Sequence, residues 1–595
     1  MNDMMDMGMD SPGLFTQDNQ YRAQILWYLI AATVGSMTVT RVWRLLERRR
    51  RKTRASAQPS GIIEHCIATA TAVFRETSLP QPIYFSGRIS KYFTPPSMGR
   101  CLFLGAYWIV ILTLLWSDVL MQPDDPMYPY RWEKVGFRAA WISVSQIPLI
   151  YLLSCKFNPI SLLTGISYER FNWLHRWTAR TVFLTVIVHW SYFFYEWWQA
   201  DFVDYELQMM LMVKYGFGAW AVIGWMILSG FGFFRTASYE IFVAQHIMAA
   251  AFLLWLLYVH VPAYAVYNIW LSVAFLAFDW GARIVLGLVR NVHLASMRLP
   301  GYSARLEPLP GGVTRLTIDD ADFTWIAGQH VYISVPSIRP FETHPFTIAE
   351  EASADSSKRS FTLVVKAHAG FSRSLFNCSQ KDCITGRTRR VFLSWPLGVP
   401  PELSHYDTVV LAACSTGASF AMPLLQKLIR TKGCVRKVEV HWMVKSSEHE
   451  EWFSKMLAEA LSAAQAHSLR LSIRIHVTRQ SRAPEDAPAM DTDSKAPIVR
   501  ADSNSIASIS TGEKTPFLNC PEASISHSYS GRPSIESLVR PAVESALGET
   551  AIVSCGGLAF TAEMRNFVAT LSDERAVHKG TGAQGIYLFT EMYGL

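Results

Sequence analysis

Four histidines sit inside long apolar stretches of the chain: His175, His189, His246 and His260. Both pairs are 14 residues apart. On a helix of about 1.5 Å rise that is roughly 21 Å, and at about 100° per residue the turn is roughly 1400°, some 40° short of four whole turns. Each helix therefore shows two imidazoles on nearly one face, one near each surface of a bilayer. Ionisable groups at such depth are costly and mark function by default. One other span separates the two helices, so they run in the same direction and can offer His175 opposite His246 and His189 opposite His260. Two imidazoles facing across a gap are the axial ligands of a six-coordinate haem, and two such pairs make two haems b stacked across the membrane. A proton relay is the alternative use. A zinc site would need its ligands clustered in one place, which two pairs about 20 Å apart do not provide. Arg176 and Arg180 suit either haem propionates or ordinary interfacial anchoring.

Seven stretches are long enough to position such groups, a crossing taking about 20 residues: Ala23–Trp43, Cys101–Met121, Val135–Cys155, His175–Trp198, Gly216–Phe234, Phe242–Ala263 and Tyr264–Val289. The third carries Arg138 and Pro148 and the seventh Asp279 and Arg283, which makes them the least regular. With 50% hydrophobic and 17% charged residues, the chain is not disordered as a whole. Its mean hydropathy of +0.15 is the average of an apolar first half and a soluble second half. The net charge is +7. Arg41, Arg44, Arg48, Arg49, Arg50, Arg51, Lys52 and Arg54 follow the first span directly. They mark its cytoplasmic end rather than a nucleic-acid patch. Residues 1–22 are then an extracellular N-terminus without the basic start of a signal peptide, and everything beyond the seventh span is cytoplasmic. All nine cysteines, including Cys520, fall on the inner side, which suits a reducing compartment.

Residues 23–290 thus form the membrane unit. Residues 291–402 hold short runs, Val331–Val335 and Phe361–Val365 among them, that predict a small antiparallel barrel. Residues 403–595 alternate strands and helices (Thr408–Ala413, Pro423–Ile429, Val438–Val444, Leu471–Val477, Ala551–Cys555), which predicts a doubly wound α/β sheet. Residues 481–529, rich in Ser, Ala, Pro and Asp, predict a disordered insertion.

The segment Thr343-His344-Pro345-Phe346-Thr347-Ile348-Ala349, with Ala327-Gly328-Gln329-His330 before it, resembles fungal ferric reductases. Their superfamily also holds the superoxide-forming NADPH oxidases. The resemblance extends to Gly165-Ile166-Ser167-Tyr168-Glu169-Arg170 and Tyr239-Glu240, and so covers almost the whole chain. It implies that His344, Pro345, Phe346 and Thr347 lie along FAD. It also implies that Lys366, Gly370, Phe371, Ser372 and Arg373 meet the FAD pyrophosphate, where cations and amides suit phosphate oxygens. A turn with Thr416, Gly417 and Ala418 after a strand is where a dinucleotide pyrophosphate docks. The resemblance places Cys555 and Gly556 near the nicotinamide, Cys555 as a positioning contact. Arg532, in Gly531-Arg532-Pro533, and Lys445 are candidates for the 2′-phosphate of NADPH, and Tyr593 is the C-terminal aromatic against the flavin.

The implied activity is a ferric-chelate reductase moving electrons from cytosolic NADPH through FAD and two haems to ferric or cupric ions outside. That direction is favoured by about 2.3 kcal/mol per charge per 100 mV. Outer Glu196, Asp201, Asp204 and Glu206 would gather cations, and Met209, Met210 and Met212 suit copper, although an outer loop that is merely not basic looks the same. The resemblance implies the plasma membrane, the vacuolar membrane being the alternative, and coupling to an iron uptake system. The rivals are a superoxide-generating NADPH oxidase and a transporter or sensor with a degenerate reductase domain.

Overall fold

The computed structural model describes residues 15–592 except 86, 88–89, 293–298, 353–358, 432, 468, 480–522 and 575–584. Seven long helices come first: α1 Thr16–Arg54, α2 Met98–Trp116, α3 Arg131–Ser154, α4 Asn172–Gln199, α5 Leu211–Ser229, α6 Tyr239–His260 and α7 Tyr267–Asn291. Six are long and apolar enough to cross a membrane. The other, α4, has 28 residues, but Arg176, Arg180, Glu196 and two histidines lower its hydropathy. It packs against α3 and α5.

The charges that made the third and seventh spans irregular are satisfied inside the bundle. Arg138 is fully buried. Its guanidinium donates to Asp18 and Asn19 of α1 and, at 3.1 and 2.9 Å, to the carbonyls of Leu114 and Ser117. Asp279 accepts the backbone N–H of Phe157 at 2.9 Å and pairs with Arg283 at 3.1 Å. A buried charge is tolerated when it is paired and fully hydrogen-bonded, and here each one ties one helix to a neighbouring segment.

The soluble half has two sheets. Strands β1 Tyr302–Leu309, β2 Val313–Ile318, β3 His330–Ser334, β4 His344–Thr347, β5 Phe361–Lys366 and β6 Arg389–Leu393 form an antiparallel sheet in the order β4-β3-β6-β1-β2-β5. A bridge between Ile348 and Leu363 brings its two ends together, completing the expected barrel. Helix α8 (Gly370–Thr385) lies against β1. Strands β7 Thr408–Cys414, β8 Lys437–Val444, β9 Arg470–Val477, β10 Ala523–Ser528, β11 Thr550–Gly556 and β12 Ile586–Met592 form a parallel sheet, order β10-β9-β8-β7-β11-β12. Helices α9 (Ala418–Arg430), α10 (Ser454–Ala466), α11 (Ile535–Glu544) and α12 (Leu558–Glu574) cover it. Every residue of β11 is buried, as a strand covered on both faces must be.

Three boundaries differ from expectation. Helix α1 begins at Thr16, so part of the stretch 1–22 is helical. The insertion assigned to 481–529 ends before Ala523, because Ala523–Ser528 pair in parallel with β9 as an edge strand. Its side chains are mostly exposed. Backbone pairing alone makes it a strand, so no apolar period announced it. Residues 481–522 of that insertion lie outside the described residues. Finally, the range 23–290 contains a helix, Ile62–Ser78, that lies on the parallel sheet: Arg75 Nη1 donates to Ile586 O at 2.8 Å.

Replacing Arg138 with Met strands the carbonyls of Leu114 and Ser117 and the Asn19 amide. Loss of one partner from such a buried network costs about 3–5 kcal/mol. The thermal unfolding midpoint in detergent should fall clearly, and fall less for Asp18→Asn, whose side chain is half exposed.

Candidate functional site

Helices α4 and α6 carry the four histidines, and their neighbours fix three of the rings through Nδ1. His175 Nδ1 donates to Ile150 O at 2.9 Å and His189 Nδ1 to Gly136 O at 2.9 Å. Both carbonyls belong to α3, and they too are 14 residues apart. His260 Nδ1 donates to Met212 O, on α5, at 2.8 Å. An imidazole whose Nδ1–H is held by a carbonyl presents a bare Nε2, the form that binds a metal. His246 Nδ1 is buried without a hydrogen-bond partner among the described residues, and its ring lies within electrostatic reach of His175.

The ring centroids of His189 and His260 lie 6.3 Å apart, with the ring planes inclined at 64°. Two metal–nitrogen bonds of about 2 Å each, plus the depth of each ring behind its nitrogen, occupy such a gap. A cavity of about 280 Å³ opens around this pair, lined by Trp190, Phe217, Trp220 and Ile223. It is just below the range for cofactor pockets, roughly 300–1,000 Å³. Glycines let the helices close on it. A Cβ on Gly216 would stand 2.6 Å from His260 Cε1, and one on Gly136 would stand 2.5 Å from the Phe193 ring. The residues at hand therefore fit a metal-centred planar group held from both faces. Met210 and Met212 line this cavity, while Met209 stays exposed.

In the barrel, β4 pairs with β3 so that Thr347 faces His330 and Pro345 faces Tyr332. The His344 ring stacks on buried Phe371 at 4.6 Å, and Phe346 stacks on the same ring at 6.3 Å. The structure thus joins two segments that the sequence had only side by side. Gly370 opens α8 at φ +55°, a conformation that favours glycine, and Ser372 Oγ accepts from His368 N at 3.0 Å. Lys366, at the end of β5, lies close to Arg373 and Lys445. Burial first, then these two cations, push its pKa down. Among the described residues no carboxylate pairs with any of the three. Three cations without a counter-ion fit phosphate.

At the carboxyl edge of the parallel sheet, β7 leads into a 3₁₀ turn, Ser415–Gly417, and then α9. The left-handed residue is Ser415, at φ +52°, while Gly417 sits at φ −60°. The sequence pointed to the glycine, but the serine makes the turn, its carbonyl held by Trp442 Nε1 at 3.0 Å. Thr416 and Ala418 flank Gly417 there. Cys555 and Gly556 end the adjacent strand; a Cβ on Gly556 would lie 3.3 Å from Cys414 Sγ. The Arg532 guanidinium lies 5.2 Å from the Phe560 ring and 3.4 Å from Glu563. Arg532 thus belongs with Cys414 and Gly556, and Lys445 with Lys366 and Arg373. Burial pushes the Cys414 thiol up to about 12 and raises Cys555 as well, which favours the protonated thiol at both. Tyr593 lies outside the described residues.

The sequence did not show what Gly165–Arg170 does. Tyr168 and Tyr332 hydroxyls meet at 2.6 Å, and Glu169 pairs with His330 at 3.1 Å. Burial works to raise the Glu169 carboxyl, but His330 outweighs it and holds its pKa low. Arg170 donates to Thr590 O at 3.1 Å and covers the Phe589 ring at 4.4 Å, while Phe589 stacks on Phe420. Glu240, which opens α6, lies with Glu342 and His344 in a cluster whose ligand atoms are within 4.8 Å. The near ends of both histidine helices therefore rest on the flavin-type segment.

The chain matches a family model described as a ferric reductase like transmembrane component over residues 139–278, an FAD-binding domain over 302–401 and a ferric reductase NAD binding domain over 406–569. The chain belongs to the ferric reductase family. It is 29% identical to "Probable cell surface ferric reductase kap2" of Aspergillus oryzae, over 60% of this chain and 50% of that protein. It is 23% identical to "Ferric reductase transmembrane component 3" of Saccharomyces cerevisiae, over 82% and 66%. "Ferric/cupric reductase transmembrane component 2" of Schizosaccharomyces pombe is 24% identical, over 64% and 77%. This member of the ferric reductase family thus spans between half and two thirds of the first two relatives' length. Its soluble half is also similar to the FAD/NAD-binding domain of a nitric oxide dioxygenase from Vibrio cholerae, with 12% identity and TM-score 0.26, over 49% of this chain and 99% of that one.

Cys555, buried at the sheet edge, should resist alkylation by iodoacetamide at pH 8 in the native protein, while exposed Cys66 and Cys383 react. Peptide mass spectrometry before and after unfolding reads this directly; native labelling of Cys555 would contradict the buried edge.

Proposed function

We propose that the protein is a multi-pass membrane reductase that carries electrons from NADPH, on the side of its soluble half, to ferric or cupric ions on the other side. The observation that supports this most is the histidine quartet, with three Nδ1 atoms tied to backbone carbonyls and the far pair of ring centroids 6.3 Å apart. When bound, NADPH supplies a hydride, FAD divides the electron pair, and two haems b pass single electrons.

The chain's own residues hold and orient these groups. His175 with His246, and His189 with His260, would hold the two irons and leave neither with an open position. His344, Pro345, Phe346 and Thr347 would flank the flavin ring on the Phe371 stack. Lys366, Arg373 and Ser372 would hold its pyrophosphate. Thr416, Gly417 and Ala418 would receive the dinucleotide phosphates, with Arg532 or Lys445 at the 2′-phosphate and Cys555–Gly556 beside the nicotinamide. Tyr168, Glu169 and Arg170 would keep the soluble domains against the near pair of histidines. The basic end of α1 lies on the same side as the soluble half, consistent with a cytoplasmic location for both. Acidic Asp204 and Glu206 lie at the far end, with cavity-lining Met210 and Met212 beside them. The cell-surface relative favours the plasma membrane for this chain too.

Cells expressing the protein should reduce ferric and cupric chelates and release little superoxide. Superoxide as the main product would replace the reading with an oxidase, and absence of both would leave a transporter or sensor. Gly216→Val drives a methyl into His260. It should lower metal reduction by at least about tenfold, since one displaced ligand breaks the path, while NADPH oxidation with a soluble flavin-level acceptor persists. Metal reduction at the normal rate would remove the far pair from the path.

A further inference from the structure

Helix α1 has 39 residues. At about 1.5 Å per residue it runs roughly 58 Å, nearly twice the about 30 Å of a hydrocarbon core. The surplus reaches the parallel sheet. Arg51 is only 5% exposed although seven other cations crowd residues 41–54. Its Nη1 meets Glu549 Oε2 at 2.6 Å and its Nη2 meets Glu47 Oε1 at 2.5 Å. Its carbonyl accepts the Cys434 thiol at 3.3 Å. Just beyond, Ala57 O accepts from Glu549 N at 3.1 Å, and Lys52 lies 3.7 Å from Glu402.

The place of this contact matters. Glu549 immediately precedes β11, and Asp407, whose backbone N–H donates to Glu549 O, immediately precedes β7. The helix thus grips the amino edge of the neighbouring strands β7 and β11, opposite the edge that carries Ser415–Gly417 and Cys555–Gly556. A second grip follows on the next strand and its covering helix: Arg75 holds Ile586 O at the start of β12, and Gln81 exchanges hydrogen bonds with Asn566 of α12 at 2.6 and 3.0 Å. A buried ion pair adds little net stability, but it is directional, and two grips on neighbouring strands fix how the sheet is turned.

We infer that the extension of α1 is a strut that orients the dinucleotide-binding domain toward the flavin segment, with Arg51 as a positioning residue for hydride delivery. The inference rests on the proposed passage of hydride from NADPH to FAD. A misplacement of about 1 Å can cost roughly a hundredfold in such a transfer, so an anchor far from the reacting atoms can govern the rate.

The test uses the full-length protein, loaded with its cofactors, in lipid nanodiscs. Stopped-flow flavin reduction by NADPH should slow at least about tenfold in Arg51→Glu. The KM for NADPH should stay near its normal value, as should reoxidation of the dithionite-reduced protein by ferric citrate. Glu549→Arg added to Arg51→Glu should restore the rate. An Ala57→Cys/Gly548→Cys pair would place the two Cβ atoms 3.0 Å apart, close enough for a disulfide after a small shift. That bond should form in the native protein, as read by protease fragments on a non-reducing gel, and leave flavin reduction intact. If Arg51→Glu fails to fold, the cross-link decides: a locked protein that is no longer reduced overturns the inference. A folded Arg51→Glu protein reduced at the normal rate overturns it too. A wild-type protein that NADPH does not reduce sinks the proposed function instead.

Discussion

A membrane-buried imidazole presents a bare Nε2 to a metal when its Nδ1–H is already held, and in this chain backbone carbonyls hold three of the four rings that way. The α3 carbonyls of Ile150 and Gly136 hold His175 and His189, and the Met212 carbonyl holds His260. Because α3 and α4 lie side by side with matched 14-residue intervals, one helix acts as the template for the other. The glycines at 136 and 216 follow from this constraint: side chains there would occupy the space of Phe193 and the His260 ring. So does the burial of Arg138, which locks α1 onto α3 and keeps the template in place.

The same logic joins the membrane to the soluble half. The segment before α4 reaches both soluble domains through Tyr168, Glu169 and Arg170, and Glu240, opening α6, reaches His344. The helices that present the histidines therefore begin on the barrel and on β12. The dinucleotide-binding domain is held a second time, from its opposite edge, by the far longer α1. Two attachments on opposite edges of one sheet define an orientation, which a single flexible linker would not.

Much of this could be read from the sequence because it depends on side-chain type and period. The histidine spacing, the apolar runs, the antiparallel barrel and the alternating strands all carry such signals. What could not be read depends on backbone or on three-dimensional neighbours. Carbonyl anchors have no side-chain signature. Arg51 looks like any other residue of a basic run, and only the fold buries it. Arg138 looked out of place until α1 supplied Asp18 and Asn19. The strand Ala523–Ser528 has one large apolar residue, Ile525, and exists through pairing with β9. Gly417 drew attention because glycine makes turns, yet Ser415 adopts the left-handed conformation and Trp442 holds it there.

The proposed role of the histidine pairs is tested most directly by counting and characterising the iron in the purified protein. The measurement is haem content by the pyridine haemochrome method, with low-temperature electron paramagnetic resonance on the same purified sample. The account predicts two low-spin, six-coordinate haems b per chain, unchanged by added cyanide. One haem per chain, or a high-spin signal that cyanide converts, would contradict it.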